Sequence, residues 1–235
     1  MCQQDILSLT MHATAKSPES SLPSRALQRD HAYGSLRRLL ILQQIPQGQR
    51  LREPEWARKL HVNRTALREA FARLEAEGFI ERGPLTGYFV PRLSQSDLAE
   101  INKLRIALEC LAIDEICAGA RELHKRLRPA AAACDEFEQF LDRDYPLGVC
   151  EADRRFHEAL IQAAGLKRLA LLYQRAPLPM ISGDIEHRPV WSATCRMNLS
   201  EHRQLLAALQ KRSDEKAKTI LRRHLSRQAT VPICH

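Results

Sequence analysis

The sequence lacks any apolar run of about 18 or more residues, the length that a membrane-spanning helix needs, so we expect no transmembrane segment and no membrane partner. Residues 1–30 also lack the basic start and apolar core of a secretory signal peptide. The seven cysteines are scattered and never spaced CxxC, which argues against a disulfide framework and against a cysteine zinc site. The expected compartment is therefore a reducing cytoplasm.

What is present is an ordinary globular composition. The chain has 235 residues, of which 44% are hydrophobic and 27% charged, so it can bury one or two cores. Its net charge of +8 is unevenly placed, because residues 31–93 hold eleven arginines and lysines against six glutamates. Such a compact positive segment favours a polyanionic partner. A solvated basic surface would explain the charge alone equally well.

Residues 31–93 show the periodicity of three helices followed by a hairpin. Residues 1–30 are rich in Ser, Gln and Pro, show no such period, and are interpreted as a mobile tail. Only a short link joins the second helix to the third, as in a winged helix-turn-helix. The predicted elements are a helix ending near residue 41, helices at 53–60 and 64–77, and strands at 79–82 and 88–90 around a turn at 83–87.

The third of these helices has the character of a recognition helix, and Asn63 is placed to cap it. One face is apolar, and the opposite face of its first turns is basic and polar. Side chains in that position meet phosphates and base edges in the major groove. A small helical domain with a solvated basic face is the alternative. The candidate DNA-contacting residues here are Asn63, Arg64, Thr65 and Arg68.

Residues 94–230 are expected to form a second, all-α domain. Ser94 and Asp97 have the spacing of a capping box at its start, and helical periods then continue without a strand. After the first long helix, the predicted helices cover residues 121–141, interrupted by Pro129, and then 150–164, 167–173, 200–211 and 213–227. The predicted fold class is mainly α, an N-terminal winged helix-turn-helix followed by an antiparallel helical bundle.

A carboxylate and three imidazoles are predicted to face the interior of this bundle. Asp153 and His157 are four residues apart and share one helix face, while His202 and His224 lie on the apolar stripes of two later helices. Unpaired polar groups in a core are costly, and one divalent ion such as zinc or nickel would satisfy all four side chains. A set of hydrogen-bonded core histidines remains the other interpretation.

Several runs of residues resemble the GntR superfamily of bacterial transcription regulators. VNRTALREA at 62–70, with RLEAEG at 73–78, is similar to the superfamily's recognition helix. The resemblance to the ligand-sensing, FCD-type domain of its FadR subfamily is carried by LR at 104–105, LE at 108–109, DRRFH at 153–157, EH at 201–202 and RHL at 223–225. Together these matches span about residues 33–228.

The resemblance implies a homodimer that binds double-stranded operator DNA and responds to a small organic acid in the bundle. It implies a metal held by Asp153, His157, His202 and His224, and it makes Gly87 the glycine of the wing. Thr86 stands where a basic wing residue is common. Arg105, on the first bundle helix, is a candidate to hold the effector's carboxylate; a structural ion pair with an acidic neighbour is the other interpretation.

The sequence thus predicts a ligand-responsive transcription regulator, taken as a repressor, and not an enzyme. A metal-dependent hydrolase is one rival. Zinc hydrolases keep an open position beside three protein ligands, and no unassigned acidic residue stands out as a general base. A constitutive DNA-binding protein whose bundle only dimerises is the second rival.

Overall fold

The structure, a computed structural model, describes residues 24–83, 87–119, 121–175, 185 and 187–228. The first elements along the chain are α1 (Arg25–Ile41), β1 (Arg50–Leu51), α2 (Glu53–Lys59), α3 (Arg64–Ala76), β2 (Glu81–Arg82) and β3 (Tyr88–Phe89). The bundle follows, with α4 (Gln95–Gly119), α5 (Leu123–Asp142), α6 (Pro146–Ala163), α7 (Lys167–Arg175), α8 (Arg188–Gln210) and α9 (Asp214–Gln228). The predicted fold class is confirmed.

The N-terminal elements enclose a small apolar core. Helices α1 and α2 both pack on α3, and the fully buried residues include Leu36, Leu67 and Phe71. The strands form an antiparallel sheet in the order β1-β3-β2, with Arg50 opposite Phe89 and Glu81 opposite the same residue on the other side. This core holds α3 by its apolar face and leaves the other face exposed.

The bundle has its own core, built where α5 packs on α6 and α8, and where α4 and α8 pack on α9. At its start Asp97 accepts from the Ser94 backbone N–H at 2.8 Å, and Ser94 Oγ accepts from the Asp97 N–H at 3.2 Å, so the predicted capping box is present. No helix within the described ranges combines the length and the apolar character needed to cross a membrane.

The first helix begins earlier than its periodicity predicted. Helix α1 starts at Arg25, inside the segment interpreted as a mobile tail, with Ser24 as its N-cap. The residue that its first turns bury is Gln28, only 7% exposed, and not an apolar side chain. A hydrophobic pattern therefore could not reveal these turns. Residues 1–23 of the predicted tail lie outside the described residues.

Two further predictions of secondary structure were wrong, and one strand was missed. Helix α8 begins at Arg188 and runs through Ser200, the position predicted as a helix start. Helix α5 continues through Pro129. Proline has no N–H, so one carbonyl in the preceding turn loses its helical donor, but Pro129 is exposed and water can donate to that carbonyl instead. Strand β1 was missed because two residues carry no readable alternation. The tip of the predicted wing turn, residues 84–86, lies outside the described residues.

Candidate nucleic-acid interface and metal centre

The start of α3 is fixed by hydrogen bonds that leave its outer face open. Asn63 caps the helix as predicted, because its Oδ1 accepts from the Ala66 backbone N–H at 2.8 Å. Its own backbone N–H and its side-chain amide both donate to Gln28 Oε1, at 2.9 and 2.8 Å. The buried Gln28 thus anchors α1 to the first turn of α3. Nothing in the pattern of the sequence pointed to Gln28.

The predicted DNA-contacting residues share one exposed surface. Arg64 and Thr65 are exposed in the first turn of α3, opposite the buried Leu67. Arg68 is exposed one turn later, and its Nε lies 2.7 Å from Glu53 Oε2 of α2. An exposed ion pair of this kind contributes little to stability, so breaking it costs little free energy. The arginine therefore stays available to exchange Glu53 for a phosphate or a base edge.

The two described residues that flank the wing tip, Gly83 and Gly87, are joined by a backbone hydrogen bond. Gly87 has a φ of +123°, a conformation that disfavours side chains, and its carbonyl accepts from the Gly83 N–H at 3.1 Å. Arg82 of β2 donates to Glu75 at 3.1 Å and to the Tyr88 hydroxyl at 3.2 Å. These contacts fasten the wing to α3.

The four predicted metal ligands come together inside the bundle. One ligand atom from each of Asp153, His157, His202 and His224 lies within 4.8 Å of the other three. Helix α6 supplies the first two residues one turn apart, and α8 and α9 supply one each. The three histidines are 1–2% exposed and the Asp153 side chain is 17% exposed. The four side chains are therefore largely buried, and solvent reaches them mainly at Asp153.

The ring nitrogens of the three histidines point at one another. His224 Nε2 lies 3.2 Å from His202 Nε2 and 3.3 Å from His157 Nε2. On the far side of two rings, Nδ1 faces a carboxylate: Glu109 Oε2 is 2.6 Å from His157 Nδ1, and Glu201 Oε2 is 3.0 Å from His224 Nδ1. A carboxylate only accepts, so each of these Nδ1 atoms carries the proton and each facing Nε2 presents a lone pair.

This arrangement fits a cation. Lone pairs that face each other at 3.3 Å repel unless a positive centre lies between them, and a carboxylate behind each imidazole is the usual support of a metal-bound histidine. Asp153 Oδ1 is buried and has no hydrogen bond to the described residues, although it lies 3.4 Å from His202 Nε2. One carboxylate oxygen and three imidazole nitrogens form a donor set suited to zinc or nickel.

Burial favours the neutral form of two of these histidines, His202 and His224. Burial lowers the pKa of His202 well below its usual value, and the neighbouring His224 and His157 lower it further. Burial also lowers the pKa of His224. Phe156 stacks on His202 with ring centroids 3.9 Å apart and so fixes the plane of that ring. Neutral imidazole is the form that binds metals.

Arg105 forms a buried ion pair with an acidic neighbour, which is one of the two roles predicted for it from the sequence. Its Nε donates to Glu109 Oε1 at 3.2 Å, and the Tyr173 hydroxyl donates to the same oxygen at 2.7 Å. Burial raises the pKa of Glu109, but the charge of Arg105 and the hydrogen bonds to His157 and Tyr173 hold it low, at about 2. Arg105 is thereby joined through Glu109 to the His157 ring.

Sequence reasoning missed the two glutamates that orient the histidines. Glu201 precedes His202 in the sequence but serves His224, and it also binds Arg227 Nη1 at 2.7 Å and Arg223 Nε at 3.1 Å. Burial raises the pKa of Glu201, but its hydrogen bonds to His224 and Arg227 bring it to about 2. A buried acidic residue four positions after an arginine was the available signal for Glu109. The signal for Glu201 was its place in the EH pair at 201–202, one of the runs that carry the family resemblance.

Asn102 is a further polar group on the same buried face of α4, one turn before Arg105. It is 6% exposed, and within the described part of the chain its Nδ2 has no hydrogen-bond partner. Such donors are rare in native cores, because each costs about 1–3 kcal/mol.

Comparison with known proteins gives matches over both parts of the chain. The model of the FCD domain matches residues 100–227, and the model of bacterial regulatory proteins of the gntR family matches residues 28–90. A relative from Agrobacterium vitis, an uncharacterized HTH-type transcriptional regulator in the TAR-I ttuE-ttuC' intergenic region, is 34% identical over 137 residues. That alignment covers 57% of this chain and 78% of the relative.

Two longer matches agree with these. The HTH-type transcriptional repressor RspR of Escherichia coli strain K12 is 26% identical over 207 residues, which cover 82% of this chain and 83% of that protein. The solved structure of E. coli McbR/YncC has a TM-score of 0.67 at 21% identity, and the match covers 88% of this chain and 95% of that one. At this identity the structural likeness supports the fold.

Proposed function

Since the chain belongs to the GntR family of bacterial regulatory proteins and carries an FCD domain, we propose that it is a ligand-responsive repressor of the FadR subfamily. Membership makes it a DNA-binding transcription regulator and not an enzyme, which removes the hydrolase alternative. Repression is favoured because RspR, one of its relatives, is named as a repressor. DNA binding places the protein in the cytoplasm.

The operator contacts in this proposal come from α3 and the wing. Arg64, Thr65 and Arg68 meet the major groove, because they are exposed together on the face that the core leaves open. Asn63 holds the first turn of α3 in place, and its exposed side chain lies beside Arg64. Gly87 lets the wing backbone approach the duplex, since no side chain stands in the way.

The sensing site in this proposal is the centre formed by Asp153, His157, His202 and His224. The observation that carries it is the convergence of three Nε2 atoms, together with the carboxylates of Glu109 and Glu201 that hold the His157 and His224 rings from behind. A divalent ion bound there would offer open coordination positions to the carboxylate of a small organic acid. Arg105 lies next to this centre through Glu109 and provides the positive charge that favours an acid.

The site ties together three helices, α6, α8 and α9, that carry the candidate ligands. An effector can change DNA binding only by the difference in its affinity for two arrangements of the protein. The four donors come from three helices and stay together only in one arrangement of those helices. An effector that binds all of them through the ion therefore has a higher affinity for that arrangement than for others. The protein acts as a homodimer, matching two half-sites of an operator.

The metal proposal is tested on the full chain by native mass spectrometry after zinc or nickel is supplied. The unmodified chain should carry one ion and His224→Ala should lose it, while the exposed His124→Ala serves as a matched control. Glu201→Gln should bind the ion about 10–100-fold more weakly, because the His224 ring loses its orienting carboxylate. Chelator should lower the melting temperature of the loaded protein.

The effector proposal is tested by a thermal-shift screen of organic acids and sugar acids with and without zinc. A binder raises the melting temperature by mass action, and an acid that needs the ion should act only in its presence. If no ion binds, the four side chains form a hydrogen-bonded pocket for the acid itself. If neither an ion nor any acid binds, the constitutive DNA-binding alternative replaces the sensor.

A further inference from the structure

The wing is poor in positive charge for a DNA-contacting element. Residues 81–89 read ERGPLTGYF, so Arg82 is their single cation and Glu81 offsets it. Arg82 also donates to Glu75 of α3 at 3.1 Å and to Tyr88 at 3.2 Å. DNA binding draws most of its affinity from cations that replace the counterions of phosphates. Residues 81–89 therefore contribute no net positive charge to DNA binding.

The neighbouring strand β1 places an arginine next to the wing. Arg50 of β1 pairs with Phe89 of β3, and its guanidinium carbon lies 5.9 Å from the Phe89 ring centre. A Cβ atom on Gly87 would lie 3.1 Å from Arg50 Nε and 3.5 Å from Nη2. The guanidinium therefore lies over the bare backbone of the wing glycine. A larger residue at Gly87 would push it away.

Arg50 is also exposed and lies three residues before Glu53, which contacts the recognition helix. Leu51 is fully buried, so the alternation of a strand turns Arg50 outward, and it is exposed. Strand β1 leads directly into α2, whose first residue, Glu53, binds Arg68 of α3 at 2.7 Å. Three residues of extended chain span at most about 11 Å. Arg50 and the Glu53–Arg68 pair therefore lie along one edge of the domain.

We propose that Arg50 supplies the DNA contact of the wing, by binding a backbone phosphate beside the groove that the wing enters. The contacting residue belongs to strand β1 and not to the hairpin of β2 and β3. A guanidinium presents a planar fork of donors that matches phosphate oxygens. Because phosphates are the same in every sequence, Arg50 positions the protein on the duplex and does not read bases.

The experiment compares Arg50→Met and Arg50→Lys with the unmodified full chain. Methionine keeps an apolar stem against Phe89 and removes the charge, whereas lysine keeps the charge. Affinity is measured from 50 to 200 mM salt on two duplexes, an operator recovered by in vitro selection with the unmodified chain and a random sequence. Arg128→Ala, an exposed arginine on α5, controls for the loss of one positive charge. Circular dichroism and the melting temperature verify folding.

Loss of one phosphate contact lowers the slope of log affinity against log salt concentration by about one unit. The ratio of the affinity of the unmodified chain to that of Arg50→Met should therefore fall about 3.5-fold between 50 and 200 mM salt. Arg50→Lys should keep the slope, and both duplexes should be affected equally. Affinity and slope unchanged in Arg50→Met, or changed no more than in Arg128→Ala, would overturn the proposal. So would a loss confined to the selected operator, since that would indicate base reading.

Discussion

Arg37 of α1 forms an ion pair with Glu151 of α6, and so joins the DNA-binding part of the chain to the helix that carries Asp153 and His157. The same guanidinium lies 3.5 Å from Glu77, the C-cap residue of the recognition helix α3, and 5.1 Å from the centre of the Phe79 ring. Its side chain is 13% exposed. One arginine thus contacts both the end of α3 and the helix α6 that carries two of the candidate metal ligands.

Replacing this arginine should loosen the junction while both cores stay folded. In Arg37→Met the stem is retained, but Glu77 and Glu151 lose the cation between them. We expect faster hydrogen exchange in α1 and the first turns of α6, a broader distance distribution in small-angle scattering, and a weaker effect of zinc on operator affinity. The matched control is Arg154→Met, because Arg154 binds Glu151 and Glu158 within α6 and does not cross the junction. Identical behaviour of the two variants would contradict the coupling role.

The recognition helix gives a second prediction. Arg68→Ala should weaken specific operator binding about tenfold or more, because an arginine placed in the first turns of such a helix can pair with guanine O6 and N7. Glu53 would lose its partner but remains at the surface, so the fold should be unchanged. A gel shift on the selected operator measures the effect, again against Arg128→Ala. Unaltered affinity would remove Arg68 from the interface.

A third prediction concerns assembly. Leu104 and Leu111 are 51% and 43% exposed on α4, and Ala107 and Leu108 lie between them on the same helix face. An unbroken apolar stripe of this kind suits a second copy of the chain better than water. We expect the unmodified chain to be a dimer by light scattering at micromolar concentration, and the double variant Leu104→Lys with Leu111→Lys to be monomeric.

The control for this prediction lies on α8. Val190 and Met197 are equally spaced and 67% and 48% exposed, but Thr194 interrupts their face. Lysine at both positions should leave the dimer intact. If the α8 variant dissociates and the α4 variant does not, the interface has been placed on the wrong helix.

A fourth prediction tests the unpaired amide of Asn102. Asn102→Leu has a similar shape and no polar atoms, so removing the buried donor should raise the free energy of unfolding by about 1–3 kcal/mol. For a chain of this size each kcal/mol is worth about 2–4 °C in melting temperature. Asn102→Ala should gain less, because it leaves a cavity. A lower melting temperature in Asn102→Leu would show that the amide serves a bonded partner.

Much of the architecture could be read from local pattern. The cap at Asn63, the stripe of Leu67 and Phe71, and the placement of Asp153 one turn before His157 all depend on residues within a few positions of each other. Helical geometry alone decides which of these side chains share a face. For that reason the winged helix-turn-helix, the exposed arginines of α3 and the inward-facing ligand pair on α6 were predictable.

The sequence by itself determined which faces of the helices are polar or apolar, and only the tertiary structure decided which faces meet. Glu109 supports His157 from 48 residues away, and His224 meets His157 across 67 residues. Arg50 reaches the wing through a strand of two residues, too short to leave a pattern. Contacts of this kind arise from the packing of whole elements, because the chain distance between two residues does not fix their distance in space.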